Sequence, residues 1–270
     1  MEVTYLLAGG DRRQFWLSRF LARCGRVYTV AVPGVEDCLP DRAADVLILP
    51  TPCLNQRGRL CCADPMAELE LEALRGLYDV HTRVYGGALP PDLEERLPGC
   101  GSVRDLLQDP LVGAVNGRLT AEAAAALAME HTEGSLFGTN CLVLGWGKVG
   151  KPLSALLKAL QARVIVAARR PEVRAEAAQL GYELREFETP GTAPELIFNT
   201  VPDQTLSRAE LDTLAADCLW VELASAPGGL PAGIKPRFSL LPANALPGRR
   251  LPKSAAAALL GGILRNEVCV

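Results

Sequence analysis

The stretch Asn140-Cys-Leu-Val-Leu-Gly-Trp-Gly-Lys-Val-Gly150 decides the fold of this chain. Cys141 to Leu144 is a short apolar run of the kind that parallel sheets bury. It leads directly into Gly145-Trp146-Gly147-Lys148-Val149-Gly150, after which Leu153, Leu156, Leu157 and Leu160 recur at helical spacing. Strand, glycine turn and helix in that order give the G-x-G-x-x-G pattern its meaning. Gly145 permits the tight turn, Gly147 admits the backbone to a pyrophosphate, and Gly150 lets the helix lie close on the strand. The helix amino end then offers N–H groups and a partial positive charge to phosphates, with Lys148 and Val149 completing the loop. Pro152 falls in the first turn, where its missing N–H does little harm. A glycine turn that binds nothing is the plain alternative, and the flanking strand and helix weigh against it.

The next strand, Val164-Ile-Val-Ala-Ala168, bears on which dinucleotide is expected. An NAD site places Asp or Glu at its end, on the ribose 2′-hydroxyl. Here the strand ends in Ala168-Arg169-Arg170. Two guanidinium forks suit a 2′-phosphate, so the expected cofactor is NADP(H).

Outward from this stretch, 270 residues allow two domains with ample core. A net charge of −3 with mixed signs argues against nucleic acid or an anionic membrane as partner. Nine cysteines form no C-x-x-C pair, and several sit in apolar runs, as thiols of a reducing cytoplasm do. Met1-Glu2-Val3-Thr4 has no basic start and runs into a core strand, so no signal peptide is expected, and no apolar run reaches spanning length. His81 and His131 are the only histidines, and neither has metal-ligand spacing.

Residues 1–116 read as a parallel α/β domain of flavodoxin-like type. Strands are expected at Thr4–Ala8, Val27–Val32, Asp45–Pro50 and Thr82–Tyr85, with a last one at Val112–Val115. Between the first two, Trp16, Phe20 and Cys24 mark a helix stripe joined by Leu17 and Leu21, and Gly25 ends it. Residues 53–70 read as an irregular excursion, Ala67–Gly76 as a helix, and the segment from Pro90-Pro91 to Pro98-Gly99 as a short one. Ligands in such sheets gather at strand carboxyl ends, which makes Arg13 a candidate clamp for a substrate carboxylate.

An interdomain helix is expected from Leu119 to Thr132, with Thr120 as N-cap, Glu122 at its positive end and His131 structural at its close. Residues 117–270 then form a Rossmann domain, a doubly wound parallel sheet. After the second strand come a helix at Pro171–Leu180, a strand at Glu195–Pro202, a capping box at Ser207–Glu210, an apolar run at Leu219–Ala224 and a short strand at Ser239–Pro242. A final helix, Pro252–Val268, is expected to pack back on the first domain.

Gly9-Gly-Asp11 with Arg13-Gln14, Ile48-Leu-Pro50, Asn116 with Thr120 and Glu122, and His131-Thr132 form one set of motifs. Gly145 to Gly150, Asn199-Thr-Val-Pro202, Ala224-Ser-Ala-Pro-Gly-Gly229, Ala245-Leu-Pro-Gly248 and Pro252-Lys-Ser254 form the other. In this order they resemble the dipicolinate synthase family, in its A-type subunit, along the whole chain. Glu222 stands where that family usually has Asp, and Ala123 where it has Gly.

The resemblance implies a two-domain NADP-dependent oxidoreductase acting on a dihydrodipicolinate-type ring, a small dicarboxylate, to give dipicolinate for spores. It also implies a flavoprotein-like B-type subunit as partner, and a homo-oligomer is compatible with it. Thr200, Val201 and Pro202 would line the nicotinamide, while Ser225, Gly228 and Gly229 offer hydroxyl and N–H donors to one carboxylate. Arg13, Asn116, Thr120 and Lys253 are candidates for the other. No proton acceptor is assigned; Glu122 is the candidate. An ordinary 2-hydroxyacid dehydrogenase needs a late catalytic histidine, absent after His131. A shikimate-dehydrogenase-like reductase needs a first-domain lysine, absent before Lys148. A non-catalytic NADP-binding sensor or scaffold remains the alternative from another class.

Overall fold

The computed structural model describes residues 2–64, 66–132, 134–187 and 193–268. Cys269 lies outside them. The chain divides into two compact units, one of residues 1–116 and 247–270, the other of residues 117–246. The sequence reading draws the second domain to 270 with its final helix packing back on the first domain; here the chain from Pro247 onward groups with the first unit.

In the first unit the chain runs β1 (Thr4–Ala8), α1 (Arg12–Leu21), β2 (Arg26–Val30), β3 (Val46–Ile48), a 3₁₀ turn (Leu71–Leu74), β4 (Arg83–Gly86), α2 (Leu93–Arg96) and β5 (Val103–Asp105). The sheet is wholly parallel, in the order β2-β1-β3-β4-β5. This is the flavodoxin-like order, with its reversal between β1 and β3. Alternate residues of β1 feed opposite faces: Tyr5 and Leu7 join Leu17 and Leu21 of α1, while Leu6 and Ala8 join Leu47, Leu49 and Val84. On α1, Leu17 and Leu21 are the deeply buried apolar positions and Trp16 and Phe20 are half-buried; Cys24, expected on the same stripe, lies exposed in the turn beyond the helix end.

The second unit follows α3 (Pro110–His131), which carries the chain across the division. It comprises β6 (Asn140–Leu144), α4 (Gly150–Ala159), β7 (Arg163–Ala167), α5 (Pro171–Gln179), β8 (Glu183–Arg185), β9 (Leu196–Asn199), α6 (Arg208–Thr213), β10 (Leu219–Glu222) and β11 (Ser239–Pro242). All strands are parallel, in the order β11-β10-β9-β6-β7-β8. Counted from β6 this is the Rossmann order, and the reversal falls between β6 and β9. Trp220 and Phe198 are fully buried in this sheet. The chain closes with α7 (Leu246–Arg250) and α8 (Pro252–Val268). Within the first unit, α8 packs on α1; Glu267 accepts from the Tyr85 hydroxyl at 2.8 Å and pairs with Arg83 at 2.7 Å, and Arg265 pairs with Asp109. No helix among the described residues is long and apolar enough to cross a membrane.

Several expectations are corrected by this architecture. Val112–Val115 is not a strand but the first turns of α3, which starts at Pro110. Thr120 is therefore mid-helix and cannot cap; Asp109 does so, its carboxylate accepting from the N–H of Leu111 at 2.8 Å and of Val112 at 3.0 Å. The helix expected over Ala67–Gly76 shrinks to the 3₁₀ turn, and the short strands β5 and β8 were not foreseen.

Candidate functional site

At the β6/β9 reversal the backbone does what the glycines imply. Gly145 has φ +104°, and its N–H continues the ladder to the Ala167 carbonyl at 2.8 Å. A side chain on Gly150 would run into the Gly145 carbonyl oxygen, so only glycine lets α4 start this close to β6. Gly147 is the opposite case: a Cβ there would meet nothing within 4 Å. The space over its backbone is open. No side chain caps the amino end of α4, since Val149 occupies the cap. Open backbone at Gly147 and an uncapped helix end together form a cradle suited to a diphosphate. Lys148 is exposed on the loop, and its carbonyl lies against Gly117 of α3, where a Cβ would collide with it.

Thr200 closes the other side of the crevice. Its N–H and its hydroxyl both donate to the Leu144 carbonyl, at 3.0 and 2.8 Å, and it leaves no room for a side chain on Gly145. The hydroxyl is thus spent on the backbone, and Val201 and Pro202 continue the turn.

Beyond β7 the two arginines differ. Arg169 pairs with Asp203 at 2.8 Å, donates to the Gln204 carbonyl at 2.9 Å and lies over the Phe187 ring at 5.6 Å. Its guanidinium holds the Asp203 carboxyl below the usual carboxylate range. Arg170 is more exposed and pairs only loosely, at 3.4 Å, with Glu172. Arg174 braces the corner by donating to the Ala168 and Arg169 carbonyls.

The loop after β10 is organised by Glu222. Its carboxylate accepts from Asn199 Nδ2 at 2.6 Å, Trp220 Nε1 at 3.1 Å, and the N–H groups of Ala224 at 3.1 Å and Gly229 at 3.0 Å. Asn199 also grips the Val201 backbone through both its amide atoms. One carboxylate and one carboxamide therefore fix the ends of β9 and β10 together. This corrects the donor assignment: the Gly229 N–H is bound to Glu222, and the Gly228 N–H donates to the Ser225 carbonyl at 2.9 Å. Ser225 itself is exposed.

The remaining candidates are also committed. Arg13 is 6% exposed; it chelates Asp11 through Nε and Nη2 and donates to the Thr51 carbonyl, with Gly248 packed on its guanidinium. It braces the first crest from a buried position. Lys253 sits 5.0 Å above the Trp16 ring. Glu122 pairs with Arg118 one turn back, beside Pro152 and Leu156 of α4. Asn116 and Thr120 lie four residues apart on α3, Thr120 buried, and neither is without a partner. His131 Nδ1 lies 2.8 Å from the Leu127 carbonyl oxygen.

Four residues escaped the sequence reading as site elements: Asn199, Asp203, Glu222 and Gly117. A carboxylate at a strand carboxyl end was a signal for Glu222, and a glycine inside an alanine-rich helix was one for Gly117.

Two doubly wound parallel sheets, the second in Rossmann order with an open glycine loop, define a two-domain α/β protein of dehydrogenase-like architecture. The structure of D-lactate dehydrogenase from Escherichia coli shares that fold, with a TM-score of 0.61 at 12% identity over 98% of this chain and 97% of that one. Much nearer is the crystal structure of the A-type dipicolinate synthase subunit from Bacillus subtilis, with a TM-score of 0.82 at 24% identity, covering 99% of this chain and 97% of that one. Its counterpart from Bacillus halodurans gives 0.83 at 23% identity, with 97% of each chain covered. In sequence, the A-type dipicolinate synthase subunit of Bacillus subtilis is 26% identical over 277 residues, 96% of this chain and 92% of that protein. No family model matches. In sequence and in fold, along nearly its whole length, the chain is similar to the A-type subunits of dipicolinate synthase.

Proposed function

We propose that this protein is an NADP(H)-dependent oxidoreductase that oxidises a dihydrodipicolinate-type ring to dipicolinate, alongside a flavoprotein-like B-type subunit. The observation that carries the cofactor class is the cradle over Gly147 at the uncapped end of α4. Preference for NADP rests on Arg169 and Arg170, which stand where an NAD site carries an acid. The name of the Bacillus subtilis relative supports the substrate class.

In this reading the dinucleotide held over Gly147 would supply the hydride acceptor, and aromatising the ring would also require a group to take up one proton. The chain's contribution is positioning. Gly145, Gly147 and Gly150 with Lys148 and Val149 hold the diphosphate. The turn Thr200-Val201-Pro202 borders the nicotinamide, its shape set by Asn199 and Glu222. Candidates for substrate carboxylates are the Ser225 hydroxyl and Thr120 in the second unit, and Lys253 and Asn116 in the first. Arg13 enters only as the brace of its own crest, and Glu122 is the candidate proton acceptor.

A non-catalytic NADP-binding sensor is the second reading, favoured by one observation: Glu122 and Arg13 are already held by partners. Titration of nicotinamide fluorescence tests the cofactor, with NADPH expected to bind more tightly than NADH; equal affinities refute the arginine argument. A fresh dihydrodipicolinate supply with NADP, followed by dipicolinate absorbance, tests the reaction. NADPH binding without product, with the flavoprotein-like partner present, selects the sensor.

A further inference from the structure

The ion pair between Arg169 and Asp203 joins residues that follow β7 and β9, and β6 lies between those strands. The pair thus bridges the carboxyl edge of the strand that feeds the glycine loop. Through it an acid reaches the arginines assigned to an adenosine 2′-phosphate by another route than the strand they follow. Both side chains are more than half exposed, so the pair is open to exchange. Among the described residues, the Asp203 carboxylate is otherwise held by the next backbone N–H, Gln204, at 2.8 Å. Arg169, by contrast, is held independently by the Gln204 carbonyl and the Phe187 ring, so it keeps its place when the carboxylate leaves.

We propose that Asp203 is a specificity-determining residue, whose carboxylate competes with the 2′-phosphate of an NADP-type nucleotide for the Arg169 guanidinium. The inference rests on the NADP reading above. The carboxylate and a phosphate dianion seek the same fork, and each repels the other at that distance. Affinity for 2′-phosphorylated nucleotides is therefore set below what the arginine pair alone would give. Nucleotides lacking that phosphate leave the ion pair undisturbed.

The test is calorimetric titration of the full chain with 2′,5′-ADP and with 5′-AMP, which requires no turnover. Asp203→Asn is expected to tighten 2′,5′-ADP by about threefold to fivefold, the range an exposed ion pair supports, and to leave 5′-AMP unchanged. Asp203→Glu keeps the charge and is expected to behave as the parent. Adding Arg169→Ala to Asp203→Asn is expected to erase the gain. Equal tightening of both ligands, or weaker 2′,5′-ADP binding, overturns the proposal, the latter by making Asp203 a support for Arg169. If the parent prefers 2′,5′-ADP and Asp203→Asn changes nothing, the Asp203 proposal alone falls. If neither protein distinguishes the two ligands, the NADP reading falls with it.

Discussion

The two units have the same kind of crest and use it in opposite ways. Each sheet reverses its strand order once, at β1/β3 and at β6/β9, and each reversal is entered through glycines followed by a helix. At the first, Gly9 and Gly10 take positive φ and are covered: the Gly10 N–H donates to the Cys61 carbonyl at 2.6 Å, and a Cβ on Gly9 would come within 2.8 Å of that oxygen. Asp11 caps α1 and holds Arg13, which reaches the Thr51 carbonyl. At the second, Gly147 faces open space and α4 has no side-chain cap. The topology makes a crevice available in both; the residues on its rim decide whether protein or ligand fills it.

Breaking the first crest is expected to have the largest effect. Arg13→Ala removes a buried guanidinium that ties the one-third-exposed Asp11 carboxylate to the Thr51 carbonyl, and is expected to cost about 2–3 kcal/mol of stability, read as urea midpoint, with NADPH affinity intact. A variant of normal stability that loses turnover would restore the clamp role instead. Glu222→Gln is expected to cost about 1–3 kcal/mol, because a carboxamide cannot accept from the same four donors. An unchanged denaturation profile would show that the β9 and β10 loops hold without it.

One substitution made at both crests sharpens the contrast. Gly9→Ala meets a backbone carbonyl at φ +58° and is expected to destabilise by about 1–3 kcal/mol. Gly147→Ala meets nothing and is expected to stay within about 0.5 kcal/mol of the parent, yet to weaken NADPH as its methyl stands over the cradle. Equal effects on stability would erase the distinction.

The smallest effect appears only in alkali, and it spans both units. Burial pushes the thiols of Cys53, Cys141 and Cys218 up to about 12 from an ordinary 9.0. With folded values raised, their stabilisation is complete below pH 9.0 and is lost as pH climbs toward about 12. Melting temperature is expected to begin falling near pH 9, while a thiol reagent at pH 8 labels exposed Cys24 and Cys38 first. Early labelling of Cys53 or Cys141 would contradict their burial.

The β6 turn and α4 were legible because a glycine loop has a spacing that follows from close approach of backbone to backbone. The same held for the capping box, where Ser207 and Glu210 bond reciprocally. Val112–Val115 misled because an apolar Val-Gly-Ala-Val run has no periodicity at that length, and Asp109-Pro110 was the better signal for a helix start. The donors at Gly228 and Gly229 were misjudged for a different reason. A sequence shows that an N–H exists, not that a carboxylate seven residues earlier has taken it, as at Gly229, or a carbonyl three residues earlier, as at Gly228. Asp203 was invisible likewise, because its partner lies 34 residues away.

Gly117 has a mechanical consequence. Its missing side chain lets a helix flank rest directly on the Lys148 carbonyl, so the glycine loop is shimmed from behind by main chain. A graded series at 117, from alanine to serine to valine, would act as spacers of increasing thickness, pressing on the Lys148 main chain from behind and displacing the loop by steps.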